Sequence, residues 1–81
     1  MKPINLNGTQ GTLASASNVG FAKLVRVLNN KTSVQLITQK NAAGATIATV
    51  TLAANEVAYI AKLGTDTLAG AATSLAVSVN Y

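Results

Sequence analysis

The stretch FAKLVRVLNNKTSVQLITQK, Phe21–Lys40, reads as two β-strands joined by a short polar turn. Val25, Val27, Val34, Leu36 and Ile37 make it the densest group of large apolar residues in the chain. Phe21–Asn29 is apolar on both faces, with Phe21, Val25 and Val27 on one and Leu24 and Leu28 on the other. That pattern suits a central strand, or one whose outer face meets a partner. Lys23 and Arg26 fall on opposite faces, and Arg26, between Leu24 and Leu28, has a stem long enough to lie over apolar surface. Asn29-Asn30-Lys31-Thr32 is turn chemistry, because Asn tolerates positive φ, so a hairpin is expected. In Ser33–Lys40, Val34, Leu36 and Thr38 are expected inward and Gln35 and Gln39 outward, with Ile37 an apolar exception on the polar face.

Beyond this stretch, Asn41-Ala42-Ala43-Gly44 is a second turn with Gly44 suited to a left-handed position. Ala45–Leu52, ATIATVTL, is rich in β-branched residues and reads as a strand. Ile47 and Val50 lie on opposite faces, which points to a bulge or to two-sided burial. Ala53–Glu56 is a turn. In the strand Val57–Leu63, Val57, Tyr59 and Ala61 compete with Ala58 and Ile60 for the core. Gly64–Thr67 breaks it, and Thr65 or Asp66 is placed to cap one helical turn over Leu68–Ala71. Ser74–Tyr81 alternates most cleanly, with Leu75, Val77, Val79 and Tyr81 expected inward and Ala76, Ser78 and Asn80 outward. On the N-terminal side, TLASAS (Thr12–Ser17) is a weak strand and the least defended edge. Residues 1–11 read as an extended arm with Ile4 and Leu6 as its large apolar side chains, pairing along the domain's edge or reaching onto a neighbour. About six strands, with turn signals at the spacing typical of such folds, predict an all-β chain, a small antiparallel β-sandwich or barrel over residues 12–81.

At 81 residues this is one domain, burying only roughly 60–65% of the surface its unfolded form exposes. Charged residues are 10% of the chain, against roughly 25% in an average domain, a surface more comfortable in an assembly than free in solution. The net charge is +4, with Lys23, Arg26, Lys31, Lys40 and Lys62 within Phe21–Lys62. Nucleic acid, an anionic surface or an acidic partner would each use it; scattered lysines also keep edge strands unpaired. Met1–Thr9 lacks the apolar core of a signal peptide, and no run approaches the ~18–20 apolar residues of a membrane span. The expectation is a protein made in the cytoplasm, not secreted and without a membrane partner.

The chain has no cysteine and no histidine, and its two carboxylates are Glu56 and Asp66. Both fall in predicted turns, so an acid–base pair is not expected. A nucleophilic serine would have only Lys62 as a nearby base. Gly8-Thr9-Gln10-Gly11 lacks the lysine of a phosphate loop, and no acidic cluster suits calcium. No catalytic residue, cofactor or metal is expected. A single-stranded nucleic-acid binder needs aromatic side chains to stack bases. Phe21, Tyr59 and Tyr81 are far apart in sequence, and Phe21 and Tyr81 are in core-facing patterns, so this reading is disfavoured.

The segments AKLVRVLN (22–29), NAAGATI (41–47) and VTLAANEVAYIAKLGTDTL (50–68) anchor a resemblance that covers about two-thirds of the chain, 16–70. This stretch resembles the small virion proteins of tailed phages, of marine and cyanobacterial type. The resemblance implies an immunoglobulin-like or jelly-roll-like β-sandwich located in the virion, as a capsid decoration or cement protein on the capsid surface, or as a tail, neck or baseplate component. It implies the major capsid protein or another virion protein as partner, together with self-association. It carries no catalytic residues. Ile4, Leu6, Lys23, Leu24, Arg26, Leu28 and Ile37 are the candidate contact residues, the apolar ones because they are left over once an inward face is assigned or because they lie on the arm.

Overall fold

The computed structural model describes residues 4–71 and 73–80. Eight strands run through them: β1 (Asn5–Leu6), β2 (Gly11–Thr12), β3 (Leu24–Asn29), β4 (Gln35–Lys40), β5 (Thr46–Leu52), β6 (Val57–Ala61), β7 (Thr67–Ala69) and β8 (Ser74–Asn80). All pairings are antiparallel. One sheet has the order β1-β8-β3-β6, with β2 following β1 along the same edge of β8; the other has the order β5-β4-β7. The all-β, two-sheet architecture is the one that the strand and turn spacing predicts.

The two strands of Phe21–Lys40 form, but they are not a hairpin. β3 pairs with β6 and β8 in the first sheet, while β4 pairs with β5 and β7 in the second. Residues 30–34 therefore cross between the sheets. Asn29 explains the crossing. Its side chain is fully buried, and its Nδ2 donates to Ser33 O at 2.9 Å, Leu52 O at 3.1 Å and Ala53 O at 3.0 Å. Its backbone N–H donates to Glu56 O and its carbonyl accepts from Asn55 N–H. One amide thus ties the end of β3 to the crossing loop and to the end of β5. Asn29 serves through its side chain, since among the described residues the left-handed ones other than glycine are Val19, Phe21 and Asn55.

The next connection is a true hairpin. Asn41 Oδ1 accepts the N–H groups of Ala43 and Ala45, and Gly44 takes φ 86°, where a side chain would be strained. The register then slips: Gln39 opposes Ala48 but Lys40 opposes Thr46. Ile47 is the extra residue, so the bulge expected from the Ile47/Val50 pattern is present.

The sheets enclose Leu13, Val25, Val27, Ile37, Leu52 and Leu68, with Ala22 and Ala76. Each large apolar side chain so buried is worth about 1.5–3 kcal/mol. Two strands present the opposite face from the one expected. In β4, Ile37 is interior at 1% exposure while Leu36 is 51% exposed, and Gln35 and Gln39 share the face of Ile37. In β8, Val25 and Val27 pair with Ser78 and Ala76, so the small residues face inward and Leu75, Val77 and Val79 face away from the main core. A period of two fixes which residues share a face; it does not say which face is inside. Here the interior beside β8 is already filled by Val25, Val27 and Leu13, which leaves room only for serine and alanine. Phe21, expected inward, is 67% exposed, and Val34 is exposed too. Tyr81, also expected inward, lies outside the described residues.

Thr67–Ala69 is a strand where a helical turn is expected. Its backbone is committed to β4 and to Ser17, with Leu68 N–H on Ser17 O and Ser17 N–H on Leu68 O. Asp66 caps no helix; its Oδ2 accepts from Gln39 Nε2 at 3.0 Å and Leu63 N–H at 3.3 Å. TLASAS is not an edge strand. Thr12 pairs in the first sheet, Leu13 drops into the core and Ser17 bridges to the second sheet. Within the arm, the described part lies along its own domain: Asn5 and Leu6 oppose Asn80 and Val79, and Asn7 N–H donates to Ser78 O. Residues 1–3 lie outside the described residues.

Candidate interaction face

Cross-strand partners share a face, so the register maps the outer side of the first sheet. One row runs Leu6, Val79, Leu24, Ala61. The next holds Val77, Arg26 and Tyr59. A third holds Thr12, Leu75, Leu28 and Val57. The centre is packed, with Val77 at 5% and Val79 at 3% exposure, while Leu24, Leu28 and Leu75 are half-buried and Leu6, Val57 and Tyr59 are exposed. A sandwich whose outer face carries this many large apolar side chains offers a second hydrophobic surface.

Arg26 is the one charge within these rows. It is half-buried and is flanked by Leu24 and Leu28 along β3 and by Val77 and Tyr59 across it. The chain's two carboxylates are engaged elsewhere: Glu56 Oε1 accepts Ala53 N–H within its own turn at 2.7 Å, and Asp66 holds Gln39 and Leu63. Among the described residues, the guanidinium thus stands in an apolar surround with both carboxylate side chains held elsewhere.

The end of this face near Leu24 is built by a strained turn. Val19, Gly20 and Phe21 have φ of 54°, 67° and 57°, a left-handed turn closed by Ala22 N–H on Asn18 O at 3.2 Å. Such a conformation costs roughly 1–2 kcal/mol for each residue bearing a side chain. Local bonds offset part of this cost: Ser17 Oγ accepts Val19 N–H and Asn18 Oδ1 accepts Phe21 N–H. Lys62 adds a further tie. Its Nζ donates to Asn18 O at 2.9 Å, Ala22 O at 2.6 Å and Leu63 O at 3.2 Å. Burial lowers the pKa of this ammonium, and the Asp66 carboxylate offsets part of that. Lys62, the one nearby base that the sequence offers a serine, is buried, and its three protons are committed to carbonyl oxygens. The turn presents Phe21 to solvent, and Leu63 beside it is equally exposed.

Of the candidate contact residues, Leu24, Arg26 and Leu28 are brought together, and Leu6 completes their first row. Lys23 is exposed just before β3, and Ile4 is half-buried before β1. Ile37 is a core residue and is withdrawn from the face. Phe21, Tyr59, Val57 and Leu75 belong to the surface and were not among the candidates. The even spacing of Leu24 and Leu28 did mark a second face of β3; nothing local showed that β8 would join it. Comparison with protein-family models, curated proteins and solved structures finds no match.

Proposed function

We propose that this chain is a non-enzymatic structural protein of a phage virion, a capsid decoration or cement protein that binds the assembled shell in many copies. The observation that carries the docking part of this reading is the outer face of the first sheet, apolar around an unneutralised Arg26. The virion assignment rests on the sequence resemblance. The face suits a partner surface that is apolar with one carboxylate placed for the guanidinium. Desolvated charge pairs of this kind are worth about 2–5 kcal/mol when one member is truncated. A protein that binds only the assembled shell stabilises it by mass action.

Two measurements test the reading. Particles carrying the protein should resist heat- or osmotic-shock release of DNA better than particles lacking it; equal resistance defeats the cement role. Arg26→Glu should fold with a Tm near that of the wild type, since the side chain is half in solvent, yet lose particle binding by roughly 30- to 4,000-fold. Unchanged binding moves the interface off this face. Copy number separates the capsid from a tail, neck or baseplate position, with hundreds of copies in the first case and six or twelve in the second. Exposed Tyr59 opposite Arg26, with exposed Phe21 at the Leu24 end, favours as a second reading a single-stranded nucleic-acid binder. Filter binding that is tight at low salt and falls steeply with added salt would support it.

A further inference from the structure

The sandwich is open on one side. β5 ends the second sheet and β6 ends the first, and no strand among the described residues pairs with the free edge of either. Between them lies a groove of about 320 Å³ lined by Ile37, Ala48, Val50, Ala58, Ile60 and Leu68, among others. β5 is seven residues long, TIATVTL, and six of the seven are exposed. It carries no charge and no proline, and its single protective device is the bulge at Ile47 near its start. Natural edge strands are defended by lysine, proline, shortness or a cover. β1 and β2 are two residues each, and β7 is covered by Ser17. Of the two open edges, β6 has five residues and β5, with seven, is the longer stretch left without charge, proline or cover.

We propose that β5 pairs antiparallel with β5 of a second copy about a twofold axis at Thr49. Four features of the strand select a copy of this chain as the occupant. An antiparallel edge is self-complementary, so a twofold uses up the β5 edge of both copies at once. The chain carries +4, and two copies avoid repulsion where the surface is uncharged, as β5 is. With Thr49 opposite Thr49, Ala48 of one copy meets Val50 of the other on the core side, a small–large fit that extends the floor of both grooves. Thr51 and Ile47 pair on the outer side.

The area sets the strength. A seven-residue strand is ~23 Å long, and the molecule's smallest dimension is 20 Å, so the footprint is roughly 450 Å² per copy. The roughly 900 Å² in total sits below the standard interface and near the range of weak, transient pairs. The dimer is therefore weak and concentration-dependent, and becomes persistent where many copies are held side by side. This inference does not rest on the docking face, which lies on the other sheet.

Sedimentation velocity from about 5 μM to 1 mM, with circular dichroism to verify folding, tests it. The wild type should pass from monomer to dimer. Thr49→Lys and Thr49→Glu each place like charges directly opposite across the twofold, so each alone should remain monomeric over the same range. Thr49 is exposed, so both variants should retain the wild-type spectrum. An equimolar mixture of the two should regain a dimer at least as tight as the wild type. A wild type that stays monomeric at 1 mM overturns the proposal. So do variants that dimerise like the wild type, or a mixture that fails to pair.

Discussion

Asn29→Asp should cost the domain about 3–5 kcal/mol at pH 7, the penalty for an uncompensated buried charge, and should return much of that at pH 4. The substitution barely changes shape, so the effect isolates hydrogen-bond polarity. In the wild type, Nδ2 faces three carbonyl oxygens, those of Ser33, Leu52 and Ala53, while Oδ1 has no partner among the described residues. The acceptors thus demand a donor at one position of the side chain. An ionised aspartate offers only acceptors, and the position is fully buried. Desolvation and the three carbonyl dipoles both disfavour its charged form, so the folded-state pKa of the new carboxyl lies above the ordinary value. The folded protein then binds more protons than the unfolded one between those two values. Stability falls as pH rises through that window, and below it the protonated carboxyl has an O–H to donate. Urea denaturation of both proteins at pH 4 and pH 7 measures this. A penalty independent of pH would mean that the cost is steric, and that the amide is not the tie between the sheets.

Asn29 also shows where sequence reading stops. The strands are legible because Val25-Arg26-Val27 and Thr46–Leu52 are β-branched runs, and the second hairpin is legible because Gly44 and Asn41 have local jobs in its turn. The crossing at 30–34 is not legible. Asn-Asn-Lys-Thr satisfies a tight hairpin as well as it satisfies a crossing loop, and the difference is made by acceptors 23 and 24 residues away on Leu52 and Ala53. The face errors have the same origin. Ser74, Ala76 and Ser78 are inside because Val25 and Val27 pair with that side of β8, a non-local fact. The large residues of β8 then fall beside Leu24, Arg26 and Leu28, which the sequence had already set apart as a second face. The surface was thus half visible: its β3 members were named, while β6 and β8 needed the register. Phe21 was misread because a run of three left-handed residues, two of them bearing side chains, violates every local preference; local side-chain bonds and the clamp behind it hold it.

That clamp gives the second large effect. Lys62→Met should destabilise the domain by about 3–4 kcal/mol at pH 7, the range for stripping one member from a buried charged network. Methionine keeps the length and the apolar stem, so the loss is that of the ammonium. Three carbonyls, of Asn18, Ala22 and Leu63, lose their shared donor, and the turn loses the tie that offsets its left-handed strain. The effect should grow with pH in a defined direction. Burial lowers the folded-state pKa of Lys62 below its ordinary 10.5. Between the lowered value and 10.5 the unfolded chain holds more protons than the folded one, so wild-type stability rises with pH across that window. The neutral amine escapes the desolvation cost and still has two hydrogens to donate. The methionine variant has no such group, so in urea denaturation the gap between the two proteins should widen as pH rises through that window toward 10.5, every other side chain being common to both. A constant or narrowing gap would show that the ammonium is not desolvated. Because the turn sets the position of Phe21, a widening gap would also mark Lys62 as the residue through which the strained end of the outer face is held in shape.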